Sequence, residues 1–215
     1  VVYTREVDGK SLNFAVSGML WNRSLVMVDK ETGSLWSHLL GRAMRGPLKG
    51  TRLEAVPTTM VTWETWHREH PKTTLINLSR TAHSYVKEYY RRPADFVYGW
   101  IQDGQAYEAN FAILLSKPVL NLHQEPSALV LTFDRPSTSA NLFSRVVDGQ
   151  TLQFVPTSDS RMKDAETEST WNSHTGVAID GPLKGTKLEQ RVGIVSFVRT
   201  WKVFHPDSQP VGLTD

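Results

Sequence analysis

Residues 27–71 read MVDKETGSLWSHLLGRAMRGPLKGTRLEAVPTTMVTWETWHREHP, and residues 162–206 read MKDAETESTWNSHTGVAIDGPLKGTKLEQRVGIVSFVRTWKVFHP. The two stretches align without a gap, and roughly 20 of 45 positions are identical, the mark of a duplicated supersecondary unit. Outward from this block, each copy is preceded by an Asp-Gly pair between alternating runs: Asp8-Gly9 before Leu12 and Phe14, and Asp148-Gly149 before Leu152 and Phe154. Asp-Gly supplies the positive dihedrals of a tight hairpin, and residues two apart share one face of a strand. The stretch between this hairpin and the block is five residues shorter in the second copy, so residues 15–26, with Ser17-Gly18 and Trp21-Asn22, are expected as a longer loop in the first.

Within the block, a strand is expected over residues 25–29, a turn at Lys30-Glu31-Thr32-Gly33, and a strand from Ser34 to about Leu39. Gly46-Pro47-Leu48-Lys49-Gly50 and its twin Gly181-Pro182-Leu183-Lys184-Gly185 read as turns, because proline presets one dihedral and the flanking glycines free the others. They lack the Walker spacing, so a hairpin connection is expected and not a phosphate cradle. Residues 51–54 and 186–189 are expected to continue as strands. Trp63, Trp66, His67 and His70 then recur at helical spacing, and Pro71 stops that helix at the residue before it. The second copy repeats the pattern up to His205-Pro206, with Trp201 in the place of Trp66.

The fold expected is therefore α+β, mainly β: two tandem copies of a strand-rich hairpin unit, each ending in a short helix. Residues 1–79 read as a partial first repeat, 80–96 as a polar, basic linker, and 97–215 as a complete second repeat, all packed as one globular unit. A hairpin around Asp103-Gly104, an amphipathic helix near residues 107–115 and a strand at 128–133 are expected ahead of the second Asp-Gly pair. That stretch has no counterpart before Val1, as though the chain were cut from something longer.

Lysine and arginine number 24 against 22 aspartates and glutamates, interspersed rather than blocked, which leaves no electrostatic footprint for a nucleic acid. No run reaches the ~18 apolar residues of a spanning helix. Without cysteine there is no disulfide framework, thiolate nucleophile or thiolate metal site. The sequons at Asn22 and Asn77 are of a kind that arises often by chance and carry no weight.

The runs Asp29-x-Glu31-Thr32-Gly33-Ser34-Leu35-Trp36-Ser37, Gly46-Pro47-Leu48-x-Gly50-Thr51-x-Leu53-Glu54 and Thr62-Trp63-x-x-Trp66-x-x-x-His70-Pro71 resemble the family called domain of unknown function 3179. Val16-Ser17-Gly18-Met19-Leu20 and Asn22-Arg23-Ser24-Leu25-Val26-Met27 are similar to its preceding segment, and weaker versions cover residues 97–206. The resemblance implies a Cys-Pro-Leu-Cys motif shortly before the Asp-Gly hairpin, hence a redox or metal reading. In the first copy that motif would fall upstream of Val1, and in the second its place is taken by Asp134, Arg135, Pro136 and Ser137. The resemblance also implies an exported protein, periplasmic or extracellular.

Residues identical in both copies are most simply fold-bearing. Asp29/Asp164 and Glu31/Glu166 are either acid–base carboxylates or, the simpler reading, organisers of the turn through side-chain to backbone hydrogen bonds. Trp36/Trp171 and Trp66/Trp201 either stack on a ligand or fill a core. His67 and His70 stand at a spacing that suits one metal ion, but Lys202 replaces the first in the second copy and no zincin pattern is present. His70 and His205 suit a helix C-terminus. His38, unmatched at Ser173, makes a nominal serine, histidine and carboxylate set with Ser17, Ser34 and Asp29, though no nucleophile elbow accompanies it.

The function expected is a non-enzymatic ligand-binding or scaffold domain of an exported protein, its partner an unidentified small ligand or protein. The candidate ligand contacts are Ser17, Asp29, Ser34, Trp36 and His38, with the site in the first copy or where the halves meet. No cofactor and no metal are expected. The alternative is a redox or metal-handling protein whose cysteines lie upstream of Val1.

Overall fold

In the computed structural model, residues 1–75, 92–124, 127–158 and 160–212 are described; most of the expected linker lies outside them. Labelling strands of three or more residues, the chain runs through a meander, β1 (Phe14–Trp21), β2 (Ser24–Asp29), β3 (Leu35–Ser37) and β4 (Arg42–Arg45), to helix α1 (Trp63–Glu69). A hairpin follows, β5 (Phe96–Gln102) and β6 (Gln105–Asn110), then helix α2 (Phe111–Ser116) and an antiparallel set, β7 (Val119–Gln124), β8 (Ser127–Asp134) and β9 (Ser139–Ser144). The second meander is β10 (Phe154–Ser158), β11 (Arg161–Asp164), β12 (Thr170–Asn172) and β13 (Ala178–Asp180), and the last elements are β14 (Ile194–Phe197) and helix α3 (Val198–Phe204). The protein is thus β-rich, and no described helix is long and apolar enough to cross a membrane.

The two meanders have the same order and the same core. Phe14 meets Trp36 edge-on at 5.5 Å, and Phe154 meets Trp171 edge-on at 5.7 Å. Val7, Leu12, Ala43 and Leu53 surround the first tryptophan, while Val147, Leu152, Ala178 and Leu188 occupy the corresponding places around the second. Both indoles are fully buried. The Asp-Gly pairs at 8–9, 103–104 and 148–149 all take positive φ at both residues, as a type I′ turn requires. Glycine is needed at Gly46 and Gly181, where a Cβ would lie 2.7 and 2.6 Å from the backbone of Ser34 and Ser169.

Three local expectations are corrected. Residues 15–26 are a longer hairpin, not a loop: β1 pairs with β2 across Asn22-Arg23, both at positive φ, with a bulge between Val16 and Leu20. Ser17 Oγ donates to the Val26 carbonyl at 2.6 Å, satisfying the backbone there. Residues 51–54 and 186–189 make only single bridges, Arg42 to Arg52 and Val177 to Lys187. The helix expected at 107–115 begins only at Phe111, since Tyr107 pairs in a sheet and the Asn110 side chain caps the helix by accepting from Ala112 N–H.

The chain divides into two compact units that do not follow the sequence copies. One comprises residues 1–58, 97–108 and 192–211; the other comprises 59–96, 109–191 and 212–215. The first meander is therefore grouped with α3 of the second copy, and the second meander with α1 of the first. In the first unit, a four-stranded sheet in the order β14-β5-β6 and the short strand Gln209–Pro210 carries α3. The short helices occupy equivalent positions in the two copies, but a strand follows α3, so the helix does not end that copy.

Candidate functional site

Three of the five sequence-selected residues meet in one buried network. Asp29 accepts from Thr32 N–H at 2.6 Å, Thr32 Oγ1 at 2.8 Å, Ser34 N–H at 3.1 Å and Trp36 Nε1 at 2.8 Å. Asp164 repeats the arrangement with Thr167 and Trp171. Burial alone would raise the Asp29 pKa, but hydrogen bonds from Trp36, Thr32 and Ser34 outweigh it and hold the carboxyl below its ordinary value. Ser34 Oγ accepts from Leu48 N–H at 3.1 Å, tying this network to the Gly-Pro turn. Glu31 accepts from Asn13 N–H and Nδ2. The geometry is that of a turn organiser, with the carboxylate lone pairs already occupied.

Ser17 and His38 are placed elsewhere in the same unit, and no hydrogen bond joins them to each other or to Asp29 and Ser34. His38 is half-buried, and burial pushes its pKa down. His67 and His70 pack at a tilt against Trp63 and Trp66, with ring centroids 5.3 and 4.1 Å apart. Among the described residues no group of three or more histidines and carboxylates is placed to hold a metal.

A site that the sequence reading did not select lies in the first unit, in a cleft of about 650 Å³. Leu39, Leu53, Ile194 and Phe204 contribute apolar wall, and Tyr3, Arg52, Trp201 and His205 also line it. Tyr3 closes one side by donating its hydroxyl to the carbonyls of His38 at 2.8 Å and Leu39 at 3.2 Å, and burial pushes its pKa up to about 12. Trp201 is fully buried, seated against Gly99, where a Cβ would lie 2.6 Å from the indole. His205 packs on that indole at 4.2 Å, and burial lowers its pKa, which favours the neutral imidazole.

Trp201 Nε1 is buried with no hydrogen-bond partner among the described residues. Its twin shows what is missing, because Trp66 Nε1 donates to Thr73 Oγ1 at 3.2 Å. The residue equivalent to Thr73 is Ser208, whose hydroxyl instead donates to Glu108 Oε2 at 2.9 Å and accepts from Lys202 Nζ at 3.0 Å. Lys202 and Glu108 are themselves paired at 2.9 Å. The acceptor that satisfies the indole in one copy is thus diverted in the other, and a buried N–H left unsatisfied costs about 1–3 kcal/mol.

Two stretches of the chain, residues 1–98 and 92–208, match the model of a family described as "Protein of unknown function (DUF3179)". Together they span most of the sequence, and the chain belongs to that family, represented twice. No curated protein and no solved structure gave a significant match.

Proposed function

We propose that this member of the domain of unknown function 3179 family is a non-enzymatic ligand-binding protein whose first unit takes a small molecule in the Trp201 cleft. The observation that carries the reading is a cleft lined by Trp201, whose buried Nε1 has no hydrogen-bond partner among the described residues. Pockets for small molecules combine apolar walls with a few convergent polar groups. A ligand acceptor would satisfy the indole donor, and Arg52 on the same wall favours an acceptor carrying negative charge. The ligand class is therefore an aromatic or aliphatic carboxylate with an apolar body. Saturation of Asp29 and Asp164 by structural donors, and the separation of His38 from the serines, support binding in preference to catalysis. Location outside the cytoplasm belongs to the same proposal and rests on the family resemblance; the alternative redox or metal-handling reading requires cysteines that these residues do not supply.

The test is thermal unfolding and titration calorimetry with a panel of such carboxylates and their methyl esters. A binder should raise the melting temperature by mass action, and Trp201→Phe, which removes the donor and keeps most of the ring, should weaken it about tenfold. Failure of every carboxylate and ester to stabilise the protein, or equal affinity in Trp201→Phe, would refute the reading.

A further inference from the structure

The second unit contains a smaller pocket, about 230 Å³, whose mouth is shared by Arg135 and Arg161. Each arginine directly follows a residue of a buried staple: Ser160 Oγ donates to Asp134 Oδ1 at 2.5 Å. Asp134 also accepts from Ser137 N–H at 2.9 Å and from Ser137 Oγ, and lies 3.2 Å from His174 Nε2. Burial works against the ionised form of Asp134, but the bonds from His174, Ser137 and Ser160 outweigh it and hold the carboxyl well below its usual range. Its charge is therefore committed inside the protein. Ser160 itself sits at φ 63°, a left-handed conformation unfavourable for a side-chain-bearing residue, and Ser173 N–H fixes it further by donating to its carbonyl at 3.0 Å.

Two arginines thus line one small cavity. Arg135 is anchored by donating Nε to the Leu115 carbonyl at 2.7 Å, and among the described residues no carboxylate pairs with Arg135 or Arg161. Thr157 adds a hydroxyl, the Ser160 hydroxyl being already committed to Asp134, and no described acidic side chain lines the space; Asp159 lies outside the described residues. The arrangement is not demanded by the duplicated fold, because the position equivalent to Arg161 is Val26 in the first copy and that of Ser173 is His38. A pocket lined by two arginines and a threonine hydroxyl, with no described acid, suits an oxyanion in charge and hydrogen-bonding capacity.

We infer that this pocket is a binding site for a tetrahedral oxyanion, a phosphate or sulfate group, held between Arg135 and Arg161. The site is independent of the carboxylate cleft in the first unit. Titration of the whole chain with inorganic phosphate and with sulfate, at ionic strength held constant with sodium chloride, should show saturable binding and a raised melting temperature. Phenyl phosphate in a parallel arm distinguishes a free anion from the head group of a larger molecule: tighter binding than inorganic phosphate assigns the pocket to a monoester, and equal or weaker binding to the free ion. Arg161→Ala, which removes no hydrogen bond seen in the fold, should weaken phosphate at least tenfold, while Trp201→Phe leaves it unchanged. Stabilisation by phosphate no greater than by chloride, or undiminished binding in Arg161→Ala, would overturn the inference.

Discussion

Trp36 and Trp201 are both fully buried, yet substitution of each by phenylalanine should have different consequences. Trp36 Nε1 donates to Asp29, so Trp36→Phe removes one of the donors that hold this buried carboxylate and should cost about 1–3 kcal/mol, measured by urea denaturation. Trp201→Phe removes a donor that has no acceptor among the described residues, so in ligand-free protein it should change stability by less than about 1 kcal/mol in either direction. A large loss in the second case would mean that shape, and not hydrogen bonding, dominates that seat. The Asp29 carboxyl has a lowered folded pKa, so its contribution is fully present above the unfolded value of about 4 and is lost as pH falls through the folded value. Asp134, also lowered, acts in the same direction. Acid titration of stability should therefore flatten when Asp29→Asn and Asp134→Asn are combined; an unchanged slope below pH 4 would contradict this account. The role of Asp29 in organising the turn at Thr32 was legible in the sequence because the two residues are three apart and recur in both copies, whereas the bond from Trp36 was not read from it. The orphaned Trp201 donor was not, because it depends on Glu108 capturing Ser208 from a hundred residues away.

Elements whose signals are local were the legible ones. Asp-Gly turns, the Gly-Pro turns and the helix stopped before His-Pro are each decided by a few adjacent residues. Residues 107–115 misled because an alternating strand runs directly into a helical segment, and the side-chain cap from Asn110 marks the join without any proline or glycine. Residues 15–26 misled because Asn22-Arg23 makes a hairpin turn without the usual glycine, which required both residues at positive φ. Helix α3 supplies a test at this scale. Its seat on β5 depends on the missing side chain at Gly99, so Gly99→Ala forces a methyl against the Trp201 ring. Overpacking of this kind costs about 1–3 kcal/mol, and the near-ultraviolet signal of the tryptophan should change with it. Gly104→Ala offers the contrast within the neighbouring turn, having open space around its Cβ and only the strain of φ 81° to bear. Equal behaviour of the two variants would show that backbone strain, not the contact with α3, accounts for the loss.

At the scale of the whole chain, the repeat in sequence and the compact unit in space are different objects. Each copy supplies its own meander, turn network and tryptophan core, which is why the duplication was legible. The grouping of residues 192–211 with residues 1–58 was not, because nothing in a helix of seven residues specifies which of two similar copies it joins. This organisation predicts how fragments behave. A chain ending at residue 91 contains the first meander but lacks β5, β6, β14 and α3, which belong to the same unit and furnish Trp201, His205 and Ile194 to its cleft. Such a fragment should unfold at lower denaturant concentration, with a smaller m-value per residue than the intact chain, since less surface is buried. Mixing it with a fragment of residues 92–215 should restore the cooperative transition and the buried-tryptophan emission, because the second fragment carries the missing strands and helix. If instead the two pieces fold separately with transitions that sum to that of the intact protein, the copies are self-sufficient, and the exchange of segments has no energetic weight.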